Sequence, residues 1–216
     1  MEKFVTLTSV AAPLPEADVD TDIIFPARFL LLLDKVGLGK HLFHERRNAP
    51  GGASTDFVLN TPPFDVAKIL VTDANFGSGS SREQAVWALA DFGIRCVIAP
   101  SFGEIFYSNC FKNGVLPIVL TGEAHSNAMS AAASGQPFTV DLESQTVTFP
   151  NGPSVPFEID PYRKRALMLG LDEIGGILTE DADDIAAFET RHRASQPWLF
   201  LDDGRLDELF DETETR

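Results

Sequence analysis

The chain has 216 residues, 44% of them apolar, enough for one sizeable core with appendages. Its 32 Asp and Glu outweigh 17 Lys and Arg, for a net charge of −15. Such a surface repels phosphate backbones and anionic bilayers, so neither nucleic acid nor membrane is expected as a partner.

In chain order, Lys3–Val10 reads as a first strand. The N-terminus is too broken by threonine, serine and proline to hold a signal-peptide core, and the expected compartment is the cytoplasm. Asp18–Asp22 reads as an acidic turn, and Phe29–Leu33 is an apolar run that suits a buried helix or strand. Pro50–Ser54 is a loop, and Ala67–Thr72 is a buried strand rich in Ile, Leu and Val. A helix is predicted from about Ser81 to Phe92, stopped by Gly93. Cys96–Ala99 is a second buried strand, Ile105–Lys112 a short helix ended by Asn113-Gly114, and Leu116–Leu120 a third strand. This alternation suggests parallel pairing with right-handed crossovers. Two cysteines, Cys96 and Cys110, are too few for a disulfide framework and read as reduced core residues.

Beyond residue 122 the pattern changes. Phe138, Val140 and Leu142, then Val147 and Phe149, then Val155, Phe157 and Ile159 alternate with other residues. Asn151-Gly152 is a turn signal, so a small antiparallel section is expected. Two helices follow, at about Tyr162–Leu169 and Glu180–Arg191, with Gly170, Gly175 and Gly176 punctuating the gap. Residues 196–216 form an acidic tail, and no run approaches the ~20 apolar residues needed to span a bilayer.

The most informative stretch is Asn75–Leu89, NFGSGSSREQAVWAL. Gly77–Ser81 are all glycine or serine, Arg82 follows, and a helical pattern begins. Amides at a helix N-terminus lack intrahelical acceptors, and the helix dipole favours negative charge there. Gly77 and Gly79 admit a ligand close to the backbone, and Arg82 adds a planar fork suited to a carboxylate. The Walker, dinucleotide and nucleophile-elbow patterns all fail on these residues. A structural alternative remains: Ser80-x-x-Glu83 and Ser81-x-x-Gln84 match the capping box, worth ~1 kcal/mol. Asp18–Asp22 also fails as a calcium loop, with Ile23 at its sixth position and Phe29 at its twelfth.

The segment from Asn75 to Pro117 resembles the signature region of the 3-isopropylmalate dehydratase small-subunit family, related to the swivelling domain of aconitase. Gly77-Ser78-Gly79-Ser80-Ser81-Arg82-Glu83 matches the family's core motif, and DVDTDIIFPARFL, Asp18–Leu30, matches a second. DFVLN at Asp56–Asn60 and GLDEIG at Gly170–Gly175 are lesser landmarks, and the resemblance runs from about Lys3 to Phe188. It implies a mixed α/β swivelling domain of the aconitase C-terminal type, spanning 1–195. The core would be about 3–122 and the C-terminal extension about 123–195, with the small antiparallel section there.

The implied activity is a hydro-lyase (EC 4.2.1 class) interconverting 2- and 3-isopropylmalate in leucine biosynthesis by dehydration and rehydration. Ser80 would be the catalytic base, and Ser81 and Arg82 would hold a substrate carboxylate. Asp22, Gly77 and Gly79 would support them. Phe29, Leu30 and Leu31 would line the pocket that reads the isopropyl group, with Arg28 beside them. A [4Fe–4S] cluster would act as Lewis acid on the leaving hydroxyl. It is expected on a partner large subunit in a heterodimer or higher assembly, with no metal held by this chain. Family members often carry histidine where this chain has Gln84 and cysteine where it has Ser78. Two alternatives stay open: a hydratase small subunit for a smaller diacid (methylmalate/citraconate or dimethylmaleate), and a non-catalytic anion-binding regulatory partner.

Overall fold

A computed structural model describes residues 1–32, 34–150 and 152–200. Leu33, Asn151 of the expected turn and the acidic tail from residue 201 onward lie outside the described residues.

The strands are β1 (Thr6–Leu14), β2 (Ile69–Thr72), β3 (Cys96–Ala99), β4 (Leu116–Val119), β5 (Pro137–Asp141), β6 (Thr146–Thr148) and β7 (Ser154–Pro156). The helices are α1 (Thr21–Ile24), α2 (His44–Arg47), α3 (Glu83–Phe92), α4 (Glu104–Lys112), α5 (Gly122–Ala132), α6 (Pro161–Leu169), α7 (Glu173–Glu180) and α8 (Ala182–Ser195). The strands form one sheet in the order β4-β3-β2-β1-β5-β6-β7. β1 belongs to two halves at once. Ala11–Leu14 pair in parallel with Ile69–Thr72, while Thr6–Val10 pair antiparallel with Pro137–Asp141. Hence the expected parallel and antiparallel sections meet on one strand.

β2 and β3 are buried at every position. That is why they read as unbroken apolar runs: helices cover both faces of a parallel sheet. Alternate residues feed two separate clusters. Leu70, Val97 and Ala99 join Ala85, Val86, Ala88 and Leu89 of α3 with Ile24, Phe25 and Phe43. Ile69, Val71, Cys96 and Ile98 join Ala128 and Ala132 of α5, Leu167 of α6, and Phe138 and Val140 of β5. Both cysteines are free and buried, as expected. Compact units divide after Asp172, with α7 and α8 packing on each other in the second.

Four expectations need correction. α3 starts at Glu83, not Ser81, because Arg82 is extended (φ −108°, ψ 102°). α5 was not expected: GEAHSNAMSAA is rich in Ser, Asn and His and buries only small apolar side chains beside His125. α7 runs straight through Gly175 and Gly176, which read as breakers. The described part of the Phe29–Leu33 run, residues 29–32, is neither a buried helix nor a buried strand. Ala27–Phe29 is a single 3-10 turn, and Leu31 stands 89% exposed.

Candidate functional site

The Gly-Ser loop leaves β2 and returns at the head of α3. Three contacts lace it to the Asp18–Asp22 segment. Gly77 N donates to Val19 O (2.7 Å), Thr21 N to Ser78 O (3.0 Å), and the buried Thr21 hydroxyl to Ser80 O (2.9 Å). Asp20 and Ser78 form a parallel β-bridge. The two most specific motifs in the sequence are therefore one structural unit.

Small residues are required for close approach. Gly77 has φ +72°, and a Cβ there would sit 2.2 Å from the Phe106 ring. A Cβ on Gly103 would meet Gly77 O at 2.4 Å. The start of α4 thus presses on the loop from below. Gly79 (φ +86°) faces Asp20 with ordinary van der Waals space.

The capping-box alternative fails. The N-cap of α3 is Arg82, without a side-chain cap bond. Glu83 does not reach back to the loop: its Oε1 accepts from Trp87 Nε1 (3.2 Å) and Asn113 Nδ2 (2.8 Å). The exposed Ser80 and Ser81 hydroxyls, and the amides of Ser81, Glu83 and Gln84, meet no partner among the described residues. Arg82 is largely buried and forms an ion pair with Asp22. Its Nη1 is fully enclosed and held there by charge rather than by an aligned hydrogen bond. Two exposed hydroxyls, unpartnered helix-start amides and one guanidinium therefore lie together within Ser80–Gln84, groups of the kind that take a carboxylate.

The apolar residues lie on the neighbouring segment. Phe29 and Leu30 pack against the cluster beneath α3, and Leu31 projects from it. Phe29 is stacked on His41 (3.9 Å between centroids, 19° between planes) and tilted against His44 (5.0 Å). Arg28 lies over the Phe29 ring and pairs with Glu45. His41 Nδ1 is buried without a hydrogen-bond partner, and burial, then Lys40, His44 and Arg28, lower its pKa.

Sequence reasoning missed His41, Thr21, Gly103 and Phe106. Thr21 lay inside Asp18–Leu30, and Gly103 and Phe106 inside Asn75–Pro117, but their roles, like that of His41, depend on contacts made across the fold. Asn60 of the DFVLN landmark is structural: it accepts from Arg47 Nε (2.9 Å) and donates to Arg47 O (2.8 Å).

Among the described residues, no group of three or more His, Cys, Asp or Glu could hold a metal ion, and no helix is long and apolar enough to cross a membrane. Burial pushes the thiols of Cys96 and Cys110 well above the ordinary range.

Comparison with known proteins places this fold and site in a class. The Aconitase C-terminal domain family matches residues 1–123, and LeuD_N matches 129–161. The family describing the C-terminal domain of the 3-isopropylmalate dehydratase small subunit matches 180–202. The 3-isopropylmalate dehydratase small subunit of Paramagnetospirillum magneticum is 55% identical over 92% of this chain and 100% of its own length. That of Granulibacter bethesdensis is 54% identical, covering 92% and 96%. The crystal structure of 3-isopropylmalate dehydratase from Methanocaldococcus jannaschii superposes with a TM-score of 0.64 at 26% identity, over 84% of this chain and 99% of that one. Within the aconitase-type class, this chain belongs to the 3-isopropylmalate dehydratase small-subunit family.

Proposed function

We propose that this chain is the small subunit of a hydro-lyase that isomerises 2- and 3-isopropylmalate by dehydration and rehydration, active with a large subunit. The observation that carries the site reading is the convergence of free Ser80 and Ser81 hydroxyls, open helix-start amides and Arg82 on one loop.

Ser80 is the base that removes the proton beside a substrate carboxylate. A serine hydroxyl does this only if its alkoxide is stabilised. The unpartnered amides at the head of α3, the positive end of the helix dipole and Arg82 supply that stabilisation. Ser81 and Arg82 bind the carboxylate, which shortens the list of substrate poses to those that bring the acidic C–H to Ser80. Asp22 holds the Arg82 guanidinium in place before substrate arrives. Phe29, Leu30 and Leu31 form an apolar lip for the isopropyl group. Burying a second carboxylate against these three side chains would cost several kcal/mol unless Arg28, which lies over Phe29, paired with it.

The family's [4Fe–4S] cluster does not fit this chain: two buried, protonated thiols on β3 and α4 are too few and unsuited as ligands. It is expected on the large subunit, and the roles above involve this chain's groups alone.

Ser80→Ala in the reconstituted two-subunit enzyme is expected to lower kcat by about three orders of magnitude or more, with assembly unchanged by size-exclusion chromatography. Near-normal turnover would sink the base assignment and favour an anion-binding partner. Comparing 2-isopropylmalate with methylmalate in the same assay separates the leucine-pathway substrate from a smaller diacid.

A further inference from the structure

Lys35 lies four residues beyond Leu31 of the apolar lip. Its Nζ donates to Asn113 Oδ1 (3.0 Å) and sits over the Trp87 ring (4.7 Å to the centroid). Asn113 caps the C-terminus of α4, and its amide also donates to Glu83 Oε1 (2.8 Å) and Asn109 O (2.9 Å). Trp87 Nε1 donates to the same Glu83 oxygen (3.2 Å). Four side chains therefore close a ring: Lys35, Asn113, Glu83 and Trp87. The ring joins three places. Glu83 is the first residue of α3, directly after Arg82. Asn113 ends the helix whose start presses on Gly77. Lys35 alone comes from the lip segment.

Phe29 and Leu30 are seated on the core cluster, but Leu31 beyond them stands exposed. Leu32 N donates to Phe29 O (3.0 Å), and His41 N to Leu38 O (2.8 Å). Between them Val36 and Gly37 form a turn, and Val36 is 86% exposed. An ammonium that is both hydrogen-bonded and placed over an indole face is a defined anchor, whereas an ordinary surface lysine keeps its rotamer freedom.

We propose that Lys35 is a specificity-determining positioning residue: by anchoring the lip to the Glu83–Trp87–Asn113 ring, it sets the lip's distance from the Ser80–Arg82 loop. This rests on reading Phe29–Leu31 as the lip for the substrate's alkyl group. Lys35 itself touches no substrate. Releasing it loosens the wall met by a bulky alkyl group and leaves the carboxylate clamp alone.

The test uses the reconstituted two-subunit enzyme with wild type, Lys35→Met, Lys35→Arg and the lip variant Leu31→Ala, assayed on 2-isopropylmalate and on methylmalate. Lys35→Met keeps most of the stem's length and removes the charge. It is expected to raise KM for 2-isopropylmalate by about three- to tenfold, the scale of one cation–π and hydrogen-bond anchor, with kcat within about twofold. KM for methylmalate is expected to move less than about twofold on the same scale, because its methyl group reaches less of the lip. Lys35→Arg, which keeps the cation over Trp87, is expected to restore most of the loss. If Leu31→Ala raises KM for 2-isopropylmalate and Lys35→Met does not, the anchor is refuted and the lip stands. If neither variant moves it, the lip reading fails and takes the proposal with it. Equal losses on both substrates, unrelieved by arginine, would mark Lys35 as merely structural and also refute the proposal.

Discussion

His41 shows how one side chain at this site responds to its surroundings. Its ring lies flat on Phe29, Nδ1 is enclosed without an acceptor, and the nearby charges are Lys40, His44 and Arg28, with Glu45 already taken by Arg28. Burial first, then these cations, hold its pKa below the ordinary 6.5. The unfolded chain therefore binds this proton more readily than the folded one, and stability from this group falls with falling pH. It is complete above about 6.5 and declines as pH descends from there through the folded pKa. His41→Phe keeps an aromatic partner for Phe29 and removes the titration. Urea midpoints of wild type and variant are expected to differ by a constant amount above about pH 7 and to shift in the variant's favour between about pH 6.5 and 5. Parallel profiles across that range would mean that His41 does not titrate differently on folding. Phe29 is part of the lip, so the same titration is expected to loosen the lip in acid.

Among the elements, α3 is closely packed at its C-terminal end. The 3-10 turn Gly39–His41 packs on its C-terminal end, where Gly39 N donates to Asp91 Oδ2 (2.7 Å) and Arg47 lies over Phe92 (4.7 Å). A Cβ on Gly39 would lie 2.6 Å from Phe92 N, and backbone cannot yield as a side chain can. Gly39→Ala is therefore expected to destabilise by about 1–3 kcal/mol, read from denaturant midpoints. An unchanged midpoint would show that the turn relaxes away freely. Local signals located β2, β3, β4, α4 and the Gly93 stop of α3 closely, because two-sided burial and a positive-φ glycine leave marks in the sequence itself. α5 and α7 left weaker marks: one carries little apolar contrast, and the other contains two glycines that packing tolerates. At the site, the Ser80–Arg82 loop and Asp22 could be read from motifs. The ring around Glu83 could not. Its sequence signature is that of a capping box, and what diverts Glu83 is Asn113, 30 residues away.

At the scale of the whole molecule, charge is unevenly spread. Between Arg28 and Arg47 there are five Lys and Arg against two acidic residues, in a chain of net charge −15. A dicarboxylate approaching the lip therefore meets a locally basic segment of an acidic protein. The sheet ties that face to the rest of the fold. Val140 is fully buried and sits between Leu7 of β1 and Val147 of β6. Val140→Asp would bury an unpaired carboxylate, with an expected loss of more than about 3 kcal/mol and a lower thermal midpoint. A midpoint unchanged from wild type would mean that the antiparallel half is dispensable to the core.

β1 changes partner at Val10–Ala11, and this governs the order in which the protein can be completed. Its parallel half finds β2 early, but Thr8 meets Thr139 across 131 positions of sequence. At ordinary translation speeds the ribosome needs on the order of ten seconds to deliver that stretch. For that interval a nascent chain carries a half-paired first strand, with open amides and carbonyls able to pair with a neighbouring chain. Newly made copies are therefore most exposed to mispairing, and to chaperone capture, before β5 has left the exit tunnel.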